Sequence, residues 1–525
     1  MKKIIYTLTA MLTLSFASSC KKYIDINTNP NVPTKVDAST LLPPILAGME
    51  RGVWFDSRYV GQYSQTWGAA TANNVWDQNG YLAGNDAGGE MWRTVYFSIG
   101  QNANLMLEDA LATKKYDYAG VTWAIRAWGW QNGGDLYDYM IVKQAYEVGR
   151  LSFDYDDPAY VYDEVVRNCK TALNYLNLAK NTDNLTVSPT LAKGDYMYYG
   201  NRDKWIKFVY GVLAQNMMHR GNKSTFDADL VKKYVDSSFV SNADNASVEN
   251  AGTQSGDANF WGPTRVNLPS FRQSDYIVRL LDGRIFTGSA TPNNTLDPRL
   301  PLLLSPSKDG VYRGVLPPLG DPNTTDPNTL IPPMAGAPTN NPNNITPKYI
   351  FNDYSRGVLM TYPQLQFIKS EALFKKGDRD GALAAYKEGI KASLDFVSNP
   401  PTAKLLTGAQ NLISAGAANA YLAGPCVKQT AGALQLSDIM QQKFIALFVW
   451  GAFEAWADER RYSYDQSIFQ GFTPPVNYFA DNAGKPVYLL RPRYNSEYIW
   501  NLPALRAIGA TNPDYHTKKP WFVLP

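Results

Sequence analysis

Histidine is almost absent from this 525-residue chain, which has only His219 and His516. Catalysis built on a Ser-His or Cys-His pair, or a zinc site made of several imidazoles, therefore lacks its parts. Cysteine is scarce too, at positions 20, 169 and 426. Cys169 falls on the apolar face of a helical pattern with Tyr162, Val165, Val166, Leu173 and Leu176, which suits a buried filler. A disulfide from Cys169 to Cys426 is allowed by an oxidising compartment but demanded by nothing in the sequence. An excess of one charge is missing as well. Fifty Lys and Arg face 47 Asp and Glu, for a net +3, scattered without the basic stripe of a nucleic-acid binder. Beyond the N-terminus no run of about 18 apolar residues occurs, so nothing in the body reads as a membrane span.

The N-terminus does carry an apolar run. Lys2 and Lys3 precede a 13-residue, mostly apolar stretch from Ile4 to Phe16, shorter than the roughly 20 residues of a spanning helix. Ala17, Ser18 and Ser19 then lead into Cys20. Residues 1–19 read as a signal peptide, and small residues directly before a cysteine suggest a bacterial lipoprotein box, although Ala17 stands where leucine is commoner. On this reading Cys20 is acylated and becomes the mature N-terminus; the alternative is a plain secretory signal with an incidental cysteine. The Asn- and Pro-rich residues 20–40 cannot bury a core and suit a tether to a body spanning 41–525. DINTNPN, residues 25–31, imitates a calcium loop but has Pro30 where glycine and Val36 where glutamate are required. No cofactor is expected, and calcium cannot be inferred.

What the chain has in quantity is aromatic side chains: 34 Tyr, 13 Trp and 21 Phe, many beside Asn, Gln, Asp and Gly. Aromatic faces edged by amides and carboxylates suit a sugar ring, whose apolar face stacks while its hydroxyls are hydrogen-bonded. The first candidate surface lies in residues 60–92, where Trp67, Trp76 and Tyr81 stand among Asn73, Asn74 and Asp77 in a Gly-rich loop. The second is Phe260, Trp261 and Arg265. For both sets the competing reading is ordinary packing against the helices beneath.

Apolar residues recur with helical spacing through 91–112, 118–130, 159–179 and 203–219. From about 240 to 350 Gly, Pro, Asn, Asp and Thr dominate, and DPNTTDPNTLIPPMAGAPTNNPNNITP excludes a helix. Long loops of this kind in compact proteins tend to be functional. Residues 361–396 read as two antiparallel helices joined at KKGDRDG, with Ser370, Gly377, Ala382, Tyr386 and Gly389 placed as in a tetratricopeptide unit. A further helix is expected from Ser437, as N-cap, through DIMQQKFIALFVWGAFEAWADERRY. Glu454, Asp458 and Glu459 near its end could tempt a glycosidase reading, which needs a carboxylate pair about 5–9.5 Å apart. An ion pair from Asp458 to Arg461 at i,i+3 and basic residues at a helix C-terminus give the structural account.

Several blocks together resemble the SusD/RagB family, in its SusD-like branch. They are the lipoprotein start with YIDINTNPN, RAWGWQNGGDLYDYM, KGDYMYYGNRDKWIKFVYGVLAQNMMHR, LDPRLPLLL, the 361–396 hairpin, KFIALFVWGAFEAWADERR and RPRYNSEYIWN. They occur in the family's order over residues 17–501. Gly134-Asp135-Leu136-Tyr137 departs from the family's Gly-Asp-x-Pro-Tyr turn. The resemblance implies a mainly α fold, with tetratricopeptide-like hairpins as scaffold and a loop-rich part carrying the ligand site. It also implies an outer-membrane lipoprotein, exposed to the exterior, that captures a glycan or a peptide and delivers it to a SusC-like TonB-dependent transporter. Two alternatives stay open at this stage: a surface-anchored glycoside hydrolase and a purely structural helical adaptor.

Overall fold

Helix α1 (Ala38–Tyr63) opens the folded unit, and its first three residues, Ala38 to Thr40, fall inside the stretch expected to be tether. The structure, a computed structural model, describes residues 36–322, 325–334, 349–402 and 412–525, of which 38–525 form one compact unit. The expected signal peptide, Cys20 and the DINTNPN stretch lie outside the described residues. Among those described, no helix is long and apolar enough to cross a membrane.

The scaffold is a succession of helices in which each packs on the next: α2 (Asn102–Ala112), α3 (Tyr116–Tyr137), α4 (Pro158–Asp183), α5 (Arg202–His219), α6 (Ala228–Asp236), α7 (Tyr362–Lys376) and α8 (Arg379–Ser398). Local signals set the boundaries. Asp157 caps α4 with Pro158 at its first position, Asn201 caps α5, and Thr361 with Gln364 forms a capping box at α7. The α7–α8 hairpin forms where the sequence placed it. Gly377 ends α7 with φ +91°, a conformation open to glycine, and Asp378 caps α8. The Ser370 hydroxyl donates to the Ala382 carbonyl at 2.8 Å. A Cβ on Gly389 would come 2.9 Å from the Phe367 ring, so the small residues are there to let the helices approach.

The single helix expected after Ser437 is two helices, α9 (Leu436–Leu447) and α10 (Ala452–Arg461), and the N-cap is Gln435. The chain breaks at 448–451, where Val449 takes φ +75°, and folds back. Lys443 of α9 thereby reaches Glu454 and Asp458 of α10, each at 2.8 Å. Arg461 completes this buried network, bonding Asp458 at 2.6 Å as expected, and Glu371 of α7 through two bonds of 2.7 and 2.9 Å. The carboxylates that suggested a glycosidase are thus buried core residues, Glu454 and Asp458 held by cations and Glu459 fully enclosed without an ion-pair partner among the described residues.

The loop-rich stretch is not free of helix: Asp275–Leu281, Arg284–Thr287 and Leu300–Leu303 are short helices, the first capped by Ser274. Antiparallel ladders stitch the stretch to the body. Strand β1 (Trp67–Ala69) pairs with β3 (Phe271–Gln273), and β2 (Ala246–Val248) with β4 (Gly357–Met360). Two segments are π-helical, Thr94–Gln101 and Tyr494–Tyr498. Such turns make up well under 1% of residues in proteins generally and gather at functional sites. The first lies against α1, where Gly52 leaves room for Thr94.

Candidate ligand-binding site

The two predicted aromatic sets do meet, but as core. Trp261 stacks on Trp54 at 5.6 Å and meets Trp67 edge-on at 5.7 Å, all three fully enclosed. Trp67 lies on α1 over Gly61 and donates its indole N–H to the Arg58 carbonyl at 3.1 Å. Phe260 is buried beneath the guanidiniums of Arg58 and Arg265. None of the three rings offers a face to a ligand, and Arg265 is engaged with the Ser255 carbonyl at 2.8 Å. The polar residues between them act locally. Asp77 is fully buried and accepts from the Ala69 amide and from Gln62, at 2.9 and 2.6 Å. Burial pushes its carboxyl up to about 6. Asn74 accepts from the Trp76 amide at 3.0 Å, and exposed Asn73 sits at φ +58° with its amide on the Pro318 carbonyl. These bonds shape the turn that carries Trp76, so the sequence signal read there as ligand contact belongs to the scaffold.

Trp76 and Tyr81, in contrast, border a cleft with a volume of about 170 Å³ between residues 82–89 and 489–498. Trp76, 4% exposed, lines it and meets the Tyr59 ring at 4.5 Å with the planes tilted by 35°. Tyr81 donates to Asp481 at 2.9 Å and meets the His516 ring edge-on at 4.9 Å. The Arg491 guanidinium lies 3.9 Å from the centre of the Tyr81 ring, a cation–π contact. Arg491 is itself anchored by the carbonyls of Ala510 and Asn512, at 2.9 and 2.8 Å. Burial, with Arg491 alongside, lowers His516 to about 4, so at neutral pH the ring is uncharged and donates to Asn482 at 2.7 Å.

The second wall supplies what sequence reasoning missed. Tyr494 and Tyr498, half-buried on the second π-helix, stack at 5.7 Å with 21° between their planes. Asp86 ties the two walls together: it pairs with Arg493 and accepts from the amide and side chain of Asn495, each at 2.9 Å. RPRYNSEYIW did hold a readable signal, two arginines and three aromatics in ten residues, but nothing in it says which segment it faces. The cleft presents tyrosine faces rimmed by carboxylate, guanidinium and amide groups. Its volume is below the roughly 300–1,000 Å³ of pockets that enclose a small molecule, so it seats one ring-sized part of a longer ligand. Among the described residues, no group of three or more His, Cys, Asp or Glu is placed to hold a metal ion.

A family model described as SusD-like, starch-binding and associating with the outer membrane, matches residues 30–481. A SusD/RagB family protein of Bacteroides thetaiotaomicron superposes with a TM-score of 0.66 at 20% identity, over 93% of this chain and 99% of that one. A SusD homolog of Bacteroides fragilis gives 0.69 at 19%, over 93% and 100%. A chitin-binding SusD homolog of Flavobacterium johnsoniae gives 0.66 at 16%, over 93% and 98%. At these identities the likeness shows the fold. A search of curated proteins finds no match.

Proposed function

Because the chain belongs to the SusD-like family of starch-binding proteins associated with the outer membrane, we propose that it is a lipoprotein anchored through Cys20 that captures an oligosaccharide in the cleft between Tyr81 and Tyr494. It hands the glycan to a SusC-like TonB-dependent transporter, and it works at the outer face of the membrane as a binding protein without hydrolysing the ligand. The observation that carries the reading is the cleft itself. Tyr81, Tyr494 and Tyr498 stand around an opening whose edge holds Asp86, Arg493 and Asn85, the pairing of stacking face and polar rim that a pyranose needs.

Calorimetric titration of the mature chain in detergent against a panel of oligosaccharides and short peptides tests it. We expect an oligosaccharide to bind, Tyr494→Ala to abolish the heat, and no new reducing ends to appear on prolonged incubation. Binding to peptides alone, or undiminished binding by Tyr494→Ala, overturns the reading; released reducing ends make the protein a hydrolase. For the anchor, Cys20→Ala is expected to abolish lipid labelling and leave the protein outside the membrane fraction. Membrane retention of that variant with residues 1–19 attached refutes it.

A further inference from the structure

Beside the cleft runs a second groove, with a volume of about 380 Å³, and Arg493 lines both. Its two sides are the two π-helices. Tyr96 and Phe97 come from Thr94–Gln101, Glu497 comes from Tyr494–Tyr498, and Ile141, Ala145 and Arg93 are among the other residues that line it. Phe97 is 62% exposed, a large apolar side chain that the fold leaves in water. Tyr96 is fixed, because its hydroxyl accepts from the Ile141 amide at 2.7 Å. Glu497 is buried and accepts from the Tyr155 hydroxyl at 2.6 Å and from Asn501 at 3.0 Å. Both bonds fall on Oε2, which leaves Oε1 to accept from a ligand.

The groove therefore joins an apolar wall to one carboxylate, Glu497, and two guanidiniums, Arg493 and Arg93, the latter paired with Glu90 at 3.1 Å. An amide bearing a methyl group needs each of these: an acceptor for its N–H, a donor for its carbonyl, and an apolar contact for the methyl. A bare hydroxyl would leave the Phe97, Ile141 and Ala145 surface unmatched. An anionic substituent would meet the Glu497 carboxylate, and an alkyl tail would desolvate Glu497 and Arg493 without giving either a new hydrogen bond.

We propose that this groove is a subsite for the N-acyl group of an amino sugar, continuous through Arg493 with the ring site on Tyr494 and Tyr498. The inference rests on the reading of the cleft as a saccharide site. The probes are triacetylchitotriose and cellotriose, which share one β-linked backbone and differ in carrying an acetamido or a hydroxyl group at the same carbon.

Titrated into the mature chain, triacetylchitotriose is expected to bind about tenfold tighter or more, the range that a single methyl contact commands in an apolar pocket. Phe97→Ala, at an exposed position, should keep the melting temperature and erase the preference while leaving cellotriose affinity unchanged. Ala145→Leu, which fills the groove, should weaken triacetylchitotriose alone. Equal binding of the two sugars, or a preference untouched by both variants, overturns the subsite and leaves the cleft standing. Binding of neither these nor any other saccharide removes the cleft reading together with it.

Discussion

His219 is fully buried, with Nδ1 2.9 Å from Asp135 and Nε2 3.1 Å from Glu454. Both ring nitrogens face carboxylates, an environment that favours the doubly protonated ring even though the Gln131 amide nitrogen also lies 3.3 Å from Nδ1. Burial alone would lower the pKa, but the two carboxylates outweigh it and raise it to about 9. In the unfolded chain the ring titrates near 6.5. A group whose folded pKa lies above its unfolded one stabilises fully below the unfolded value and ceases to do so as pH rises through the folded value. The shift corresponds to about 3 kcal/mol, present below about pH 6.5 and lost as pH rises through about 9. His219→Gln removes the cation but keeps a donor. Lys443 still neutralises Glu454, and the Tyr162 hydroxyl still bonds Asp135, so the loss should stay near about 3 kcal/mol, at the lower edge for a broken buried pair. Urea midpoints of wild type and variant at pH 6 and pH 9.5 test this. The gap between them should be wide at pH 6 and nearly closed at pH 9.5. Buried carboxylates such as Asp56 and Asp138, raised to about 7 by burial, titrate in both proteins and cancel in the comparison. A gap that does not change with pH would show His219 neutral and refute the reasoning.

Trp67→Ala should cost about 3–5 kcal/mol in urea denaturation and leave saccharide affinity of the folded protein unchanged; Tyr494→Ala should do the reverse. Asp86→Ala removes a half-exposed ion pair whose contribution to stability is at most about 1 kcal/mol, yet it unties the cleft walls, so calorimetry should show weakened binding with the urea midpoint nearly constant. Cys169 and Cys426 are both buried free thiols, and burial pushes Cys426 up to about 12. Alkylation should label neither in the native protein and both in urea; a non-reducible cross-link-free mass short of two labels in urea would contradict this.

The helical scaffold was legible because its signals are local. Thr361 and Gln364, Asp157 and Pro158, and the small residues of the 361–396 hairpin act within a few positions of where they stand. The break between α9 and α10 was not legible. It is decided by Lys443 reaching residues 11 and 15 positions ahead, and an apolar run without proline gives no sign of that. The aromatic loops misled for a related reason. Asn74 and Asp77 look like ligand contacts beside Trp76, but their partners are Gln62 and the loop's own amides. Whether a tryptophan faces in or out was settled by Gly61 on α1 beneath Trp67, a fact of packing rather than composition. The cleft required segments 409 residues apart, Asp86 and Asn495, and no periodicity reports such a pairing.

The buried charges also explain how a cleft wall made of irregular chain is held still. Arg460 of α10 sends one guanidinium nitrogen to two carbonyls, Asp135 at 2.6 Å and Tyr488 at 2.9 Å. Two residues past Tyr488, the Leu490 amide donates to the Leu136 carbonyl at 2.8 Å. The irregular segment entering Arg491 and Arg493 is thus fastened to the end of α3 by a charge in the core. Buried ion networks add little net stability compared with apolar packing, so their worth here lies in position. Arg460→Met keeps the bulk over Trp456 but leaves both carbonyls without their donor, at about 1–3 kcal/mol each. The local effect should exceed the global one. Hydrogen exchange at the Leu490 amide should quicken more than exchange at the centre of α4, and saccharide affinity should fall while the cleft side chains are unaltered. If Leu490 exchange and affinity both stay at wild-type values in a destabilised variant, Arg460 holds the fold alone and the wall is positioned by something else.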